Sequence, residues 1–155
     1  MPIDEAINLA FPHKPKDEIK IIDAGAGTWL MAVELQKLGY TTLCALDISK
    51  GVLNEAKNKN VYKKFICAAM SDKKIPEIQT GEFDALICGA AMFKGHIRSF
   101  ALTEMVRIVK TGESESVFHS TLTSNIREHP SGLTARESSR AAAKRAQADL
   151  TKSSI

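Results

Sequence analysis

The sequence predicts an α/β fold built around a mostly parallel sheet, on three observations. Short apolar runs bounded by Gly alternate with amphipathic stretches, strand then helix, from Ile19 to about Lys110. The 155 residues suffice for one domain and leave little room for a second. Hydrophobic residues make up 44% and charged residues 25%, the balance of an ordinary globular chain that can bury a core.

Each element follows from local pattern. Residues 1–18 combine a short apolar stripe (Ile7, Leu9, Phe11) with Pro and Lys, which predicts a helix and then a loop. Ile19 to Ala24 reads as a buried strand closed by Gly25 and Gly27. From Thr28 to Leu38, the positions of Leu30, Met31, Val33, Leu35 and Leu38 suit an amphipathic helix that Gly39 stops. Thr41 to Asp47 is a second strand, and Ser49 caps a helix over Val52, Leu53 and Ala56. Lys64 to Met70 gives a third strand, and Phe83 to Cys88 a fourth after the loop of Pro76 and Gly81. Ile97, Ala101, Met105, Ile108 and Val109 recur at helical spacing, and Val117 to Leu122 reads as a fifth strand. Crossovers between parallel strands are right-handed, which leaves few topologies, and the expected fold is a Rossmann-like three-layer αβα sandwich.

From Thr123 onward the rhythm breaks. Ser, Thr, Ala and Arg dominate, and Thr134 to Leu150 holds helix formers without a wide apolar face. The expected organisation is a domain over residues 1–122 and a divergent, partly helical or disordered tail over 123–155. The formal net charge is only +3, which gives no strong nucleic-acid signal. No stretch approaches the ~18 apolar residues a membrane span needs. Met1-Pro2-Ile3-Asp4-Glu5 is acidic where a signal peptide is basic, so a cytoplasmic location is expected. Cys44, Cys67 and Cys88 each fall in a strand-like run with no CxxC spacing, and are read as small buried hydrophobes rather than metal ligands or a disulfide.

The informative stretch is Ile21-Ile22-Asp23-Ala24-Gly25-Ala26-Gly27-Thr28-Trp29, a strand that enters a two-glycine turn and leaves into a helix. Glycines allow positive φ and let a ligand approach bare backbone, while the helix start presents free N–H groups. Twenty residues on, Asp47 ends the second strand, where an acid can accept hydrogen bonds from both hydroxyls of a ribose. A dinucleotide fingerprint wants a third Gly where this chain has Leu30, which argues against a nicotinamide-dinucleotide domain. Turn and acid together point to an adenosine-bearing cofactor.

"IIDAGAGT" followed by "LCALDIS" resembles motif I and the acidic strand-two motif of class I S-adenosylmethionine methyltransferases. The run from "GAGTWLMAVELQKLGY" to "FICA", with "FDALICGAAMFKGHI" and "ALTEMVRIVKTGE", is similar to the methyltransferase-like proteins of the Williams–Beuren critical-region type. The resemblance covers about Ile3 to Glu113. It implies S-adenosylmethionine as cofactor and methyl transfer to a small-molecule or unidentified acceptor. It implies that Gly25, Ala26 and Gly27 pass under the methionine part and that Asp23 fixes the turn. Asp47 would hold the ribose, Ile48 would lie against the adenine face, and Met70 would offer backbone to the adenine edge. Gly89 and Ala90 would border the sulfonium. His96, in "FKGHI", is the candidate for orienting an acceptor or taking its proton.

The chain departs from that pattern at three places. Trp29 stands where motif I usually has Gly, Ala69 where many relatives place an acid, and the tail diverges from the hairpin that completes the sheet. The expected fold therefore lacks the last strands of the full methyltransferase fold, by C-terminal truncation or divergence. A homodimer through the open sheet edge is expected. The same departures motivate the alternative of a non-catalytic, truncated methyltransferase-like binding module.

Overall fold

A computed structural model describes residues 2–88 and 101–110, together with the backbone of 117–120. Five parallel strands form one sheet: β1 (Ile21–Ala24), β2 (Leu43–Asp47), β3 (Lys64–Cys67), β4 (Ala85–Cys88) and β5 (Val117–Ser120), in the order β3-β2-β1-β4-β5. The register sets Ile21 opposite both Leu43 and Ala85, Cys44 opposite Lys64, and Ala85 opposite Val117. The chain winds outward from β1 to β3 and then returns to β4 on the far side of β1. The helix that follows β1 and the helix that follows β4 pack on opposite faces of the sheet, and such a reversal is where α/β folds place a ligand crevice, at the carboxyl ends of the strands.

The two-residue period of the strands sorts their side chains between two cores. Ile22, Ala24, Cys44, Leu46, Leu86 and Cys88 face one, closed by Met105 and Ile108 of α4 (Leu102–Ile108). Ile21, Leu43, Ala45, Ala85 and Ile87 face the other. It is closed by Ile7 of α1 (Ile3–Ala10), Ala32 and Leu35 of α2 (Leu30–Lys37), and Leu53 and Ala56 of α3 (Lys50–Lys57). The result is the expected three-layer αβα arrangement, with β1 and β4 buried along their whole length as central parallel strands are.

The start and stop signals act as read. Ser49 caps α3 by accepting the Val52 N–H at Oγ, 3.3 Å away. Gly39, at φ 99°, follows α2 in the left-handed region, and the Tyr40 N–H closes back onto the Leu35 C=O. Two buried carboxylates then fasten the loops. Asp84, at the amino end of β4, accepts from Lys14 Nζ (2.7 Å), Lys110 Nζ (2.9 Å) and the Lys20 N–H (2.8 Å). Glu104 accepts from the Ile75 N–H (2.8 Å) and both Nε and Nη2 of Arg107 (2.6 Å each).

Several boundaries move for identifiable reasons. α2 starts at Leu30 rather than Thr28, because Trp29 adopts a left-handed backbone that no helix continues through. β3 stops at Cys67, short of Met70, because its partner β2 ends at the facing Asp47. Ile19 is buried outside β1, and Phe83 forms an isolated bridge with Val109 ahead of β4. The cysteine reading needs one correction. Cys44 and Cys88 are buried but Cys67 is exposed, since β3 is an edge strand that turns Lys64 and Cys67 outward. Burial pushes the Cys44 thiol up to about 12. No described helix is long and apolar enough to cross a membrane. The tail over 123–155 and the strands expected to be missing lie outside the described residues.

Candidate functional site

The carboxyl end of β1 runs directly into the glycine turn. Gly25 (φ 75°) and Gly27 (φ 46°) both take left-handed backbone, which a side chain would strain, with the small buried Ala26 between them. The Gly25 and Ala26 N–H groups donate to the Leu46 C=O at 2.7 and 3.2 Å, fixing the turn to β2. At the end of β2, Asp47 Oδ2 accepts the Gly27 N–H at 3.2 Å and Oδ1 accepts the Ser49 N–H at 2.8 Å. The fold thus joins the glycine turn to the acid twenty residues later. Each carboxylate oxygen has two lone pairs, so both retain an acceptor site for a ribose hydroxyl.

Beside Asp47, Ile48 leaves 73% of its surface in water, and Leu30 at the start of α2 leaves 68%. Isolated exposed hydrophobes are ordinary, but an isoleucine next to the nucleoside-type acid offers the apolar face a base needs. Met70 sits after β3 with its side chain buried in the α4-side core, leaving its backbone as the part that would meet a ligand. Gly89, Ala90 and His96 lie outside the described residues.

Asp23 is not at the mouth of the crevice but beneath the turn, 4% exposed in the α1–α3 core. Tyr62 Oη donates to its Oδ2 at 2.7 Å, and no described residue donates to Oδ1. Burial raises its pKa from 3.8 to about 6, against the Tyr62 hydrogen bond and with help from the charge of Asp47. Burial and the Asp23 charge together hold the Tyr62 hydroxyl far above the usual phenol range. Nothing in the sequence pairs Tyr62 with Asp23, since they are 39 residues apart and on different elements.

Trp29 takes φ 53° and ψ 5°, a left-handed backbone that glycine adopts more readily. For a residue with a Cβ this costs about 1–2 kcal/mol. It persists because the surroundings hold it. The Trp29 N–H donates to the Ala26 C=O at 2.8 Å, its own C=O accepts from Val33, and the half-buried indole packs on the α1–α3 core. Lys59 Nζ lies 5.3 Å from the indole ring centroid, in cation–π range.

A bare-backbone turn, an acid tethered to it and an open topological switch define a nucleoside-cofactor domain of the doubly wound α/β class. Residues 22–114 match the family described as "Methyltransferase domain". The chain belongs to that family of methyltransferase domains. It is similar to human Methyltransferase-like protein 27, 28% identical over 108 residues, which are 70% of this chain and 43% of that protein. Among solved structures it resembles the trans-methyltransferase CalH in complex with SAH, at 18% identity and a TM-score of 0.54, over 67% of this chain and 32% of that one. It also resembles a putative S-adenosyl-L-methionine-dependent methyltransferase from Methanococcus maripaludis, at 22% identity and a TM-score of 0.55, over 76% of this chain and 53% of that one. These structural likenesses show the fold. The chain spans less than half the length of its human relative.

Proposed function

We propose that the crevice at the carboxyl ends of β1 and β2 holds S-adenosylmethionine and that the domain transfers its methyl group to a small-molecule acceptor. The observation that carries this reading is the 3.2 Å bond from the Gly27 N–H to Asp47 Oδ2, which joins the turn and the acid into one cradle. Gly25, Ala26 and Gly27 would lie under the methionine part, with Asp23 supporting the turn from below. Asp47 would take the ribose hydroxyls, Ile48 the adenine face, and the Met70 backbone the adenine edge. Gly89 and Ala90 are assigned to the sulfonium border and His96 to the acceptor side.

The cofactor, when bound, supplies an electrophilic methyl carbon on a sulfonium. The chain's own contribution is alignment and exclusion of water, which together can supply roughly 7–11 kcal/mol of a barrier without a catalytic acid or base. That is consistent with a site whose two ordered carboxylates, Asp23 and Asp47, are both accounted for by folding and binding. His96 would orient the acceptor or accept its proton. The proposed domain is residues 1–122, with 123–155 a separate tail, and the exposed sheet edge is proposed to pair two copies. A cytoplasmic location fits this reading.

Thermal unfolding with S-adenosylhomocysteine and, in parallel, NADH tests it. A cofactor at one hundred times its Kd stabilises by about 2.7 kcal/mol, or roughly 5–10 °C in Tm for a domain of this size. The expected result is a saturable rise with S-adenosylhomocysteine and none with NADH; the reverse would replace the methyltransferase reading by a dinucleotide one.

A further inference from the structure

The connection from α3 to β3, residues 58–63, reaches both ends of the glycine turn. Tyr62 Oη donates to Asp23 Oδ2 at 2.7 Å, two residues before Gly25. Lys59 Nζ sits 5.3 Å from the ring centroid of Trp29, two residues after Gly27. Between them the Asn60 C=O accepts from Gln36 Nε2 of α2 at 3.3 Å, and Asn60 is itself left-handed at φ 53°. Asparagine tolerates that backbone better than most residues. Three contacts, from Lys59, Asn60 and Tyr62, therefore tie this connection to the elements on either side of the turn.

We propose that this connection is a strap that positions the glycine turn, and that Tyr62, acting through Asp23, is a positioning residue for cofactor binding. The inference rests on the cofactor reading above. Gly25 and Gly27 have no side chains with which to hold themselves, and a two-glycine turn has much conformational freedom to lose. Ordering it before the ligand arrives removes that cost from binding. A purely structural support at this place would be served as well by an apolar pair, since burying a carboxylate is unfavourable in itself.

Among the described residues, Asp23 faces Tyr62 from the strap and, on the same side of the sheet, Asp47 from the end of β2. The buried residues of α2, Ala32 and Leu35, and Ile87 on β4 carry no charge. Of these groups, only the Tyr62 hydroxyl lowers the pKa of Asp23. Removing it moves protonation of Asp23 to higher pH, a change that loss of packing alone does not produce.

The test uses the full chain with Tyr62→Phe and, in a second variant, Lys59→Ala. The readouts are S-adenosylhomocysteine affinity against pH and backbone amide exchange of the unliganded protein over residues 25–28. Tyr62→Phe should weaken affinity about tenfold at neutral pH, the loss of one buried hydrogen bond to a charged group. It should also move the acid limb of the profile to higher pH. Both variants should speed exchange at Gly25, Ala26 and Gly27 while leaving β4 unchanged, and Lys59→Arg should restore it by keeping the cation over the indole. Lysine 59 stands on the exposed side, so its variants fold even if Tyr62→Phe does not. Unchanged exchange at the turn in the folded variants overturns the strap, whatever happens to affinity. Failure of the wild-type protein to bind S-adenosylhomocysteine would remove the cofactor reading and leave the exchange measurement to decide the strap alone.

Discussion

Replacing Asp23 by Asn should stabilise the protein at neutral pH and remove part of its pH dependence. The carboxyl is 4% exposed, and burial raises its pKa from 3.8 to about 6. Between those two values the folded protein holds a proton that the unfolded chain has released. The contribution of Asp23 to stability is therefore fully present below about pH 4 and is lost as pH rises towards 6. Two units of pKa amount to about 3 kcal/mol. In the Asp23→Asn variant the amide oxygen still accepts from Tyr62 Oη and nothing titrates. Urea unfolding of both proteins between about pH 4 and about pH 7, with the midpoint and slope measured at each pH, gives the difference directly. That difference should grow with pH by about 3 kcal/mol in favour of the variant. Taking it removes Asp4, Glu82 and Asp84, whose lowered pKa values act in the opposite sense, their stabilisation being lost as pH falls. A difference that stays constant across the window, or shrinks, would refute the account of Asp23 as a carboxyl destabilised by burial.

Two further substitutions probe the frame. Trp29→Gly relieves the left-handed backbone while Trp29→Ala keeps it, and both lose the same indole contacts with the α1–α3 core and Lys59. Chemical denaturation should find the Ala variant less stable than the Gly variant by about 1 kcal/mol, and equal stabilities would contradict the left-handed assignment. Asp84→Ala removes the acceptor shared by Lys14, Lys110 and the Lys20 N–H. The two lysine side chains are 30% and 51% exposed and their ammonium groups regain water, so the expected loss is about 2 kcal/mol rather than the roughly 3–5 of a fully buried pair. Asp84 lies at the opposite end of the sheet from the crevice, so S-adenosylhomocysteine affinity should not change.

The strand and helix order was legible because burial imposes a period, and the period survives in the sequence. The site was legible where its chemistry is local or repeats a spacing. Gly25 and Gly27 announce left-handed backbone by residue type, and Asp47 announces itself by ending a strand. Trp29 was visible as a departure from the motif, but its consequence was not, because the sequence does not tell whether the indole enters the crevice or joins the core. The structure sets it on the core and lets the backbone keep the shape a glycine would take. Tyr62 was missed altogether. A single tyrosine ahead of a strand reads as packing, and its partner Asp23 reads as part of the turn, until the sheet brings them within 2.7 Å. Cys67 was misread for a related reason: the apolar run from Phe65 to Met70 does not reveal that its strand is an edge.

The central claim is that the turn and Asp47 form one cofactor cradle. Calorimetric titration of the folded chain with S-adenosylhomocysteine, beside an Asp47→Ala variant checked for native circular dichroism, tests it most directly. The account predicts saturable one-site binding by the wild-type protein and a loss of roughly tenfold or more in the variant, the weight of hydrogen bonds to a charged group. A folded wild-type protein that binds nothing, or a variant that binds equally well, would contradict it.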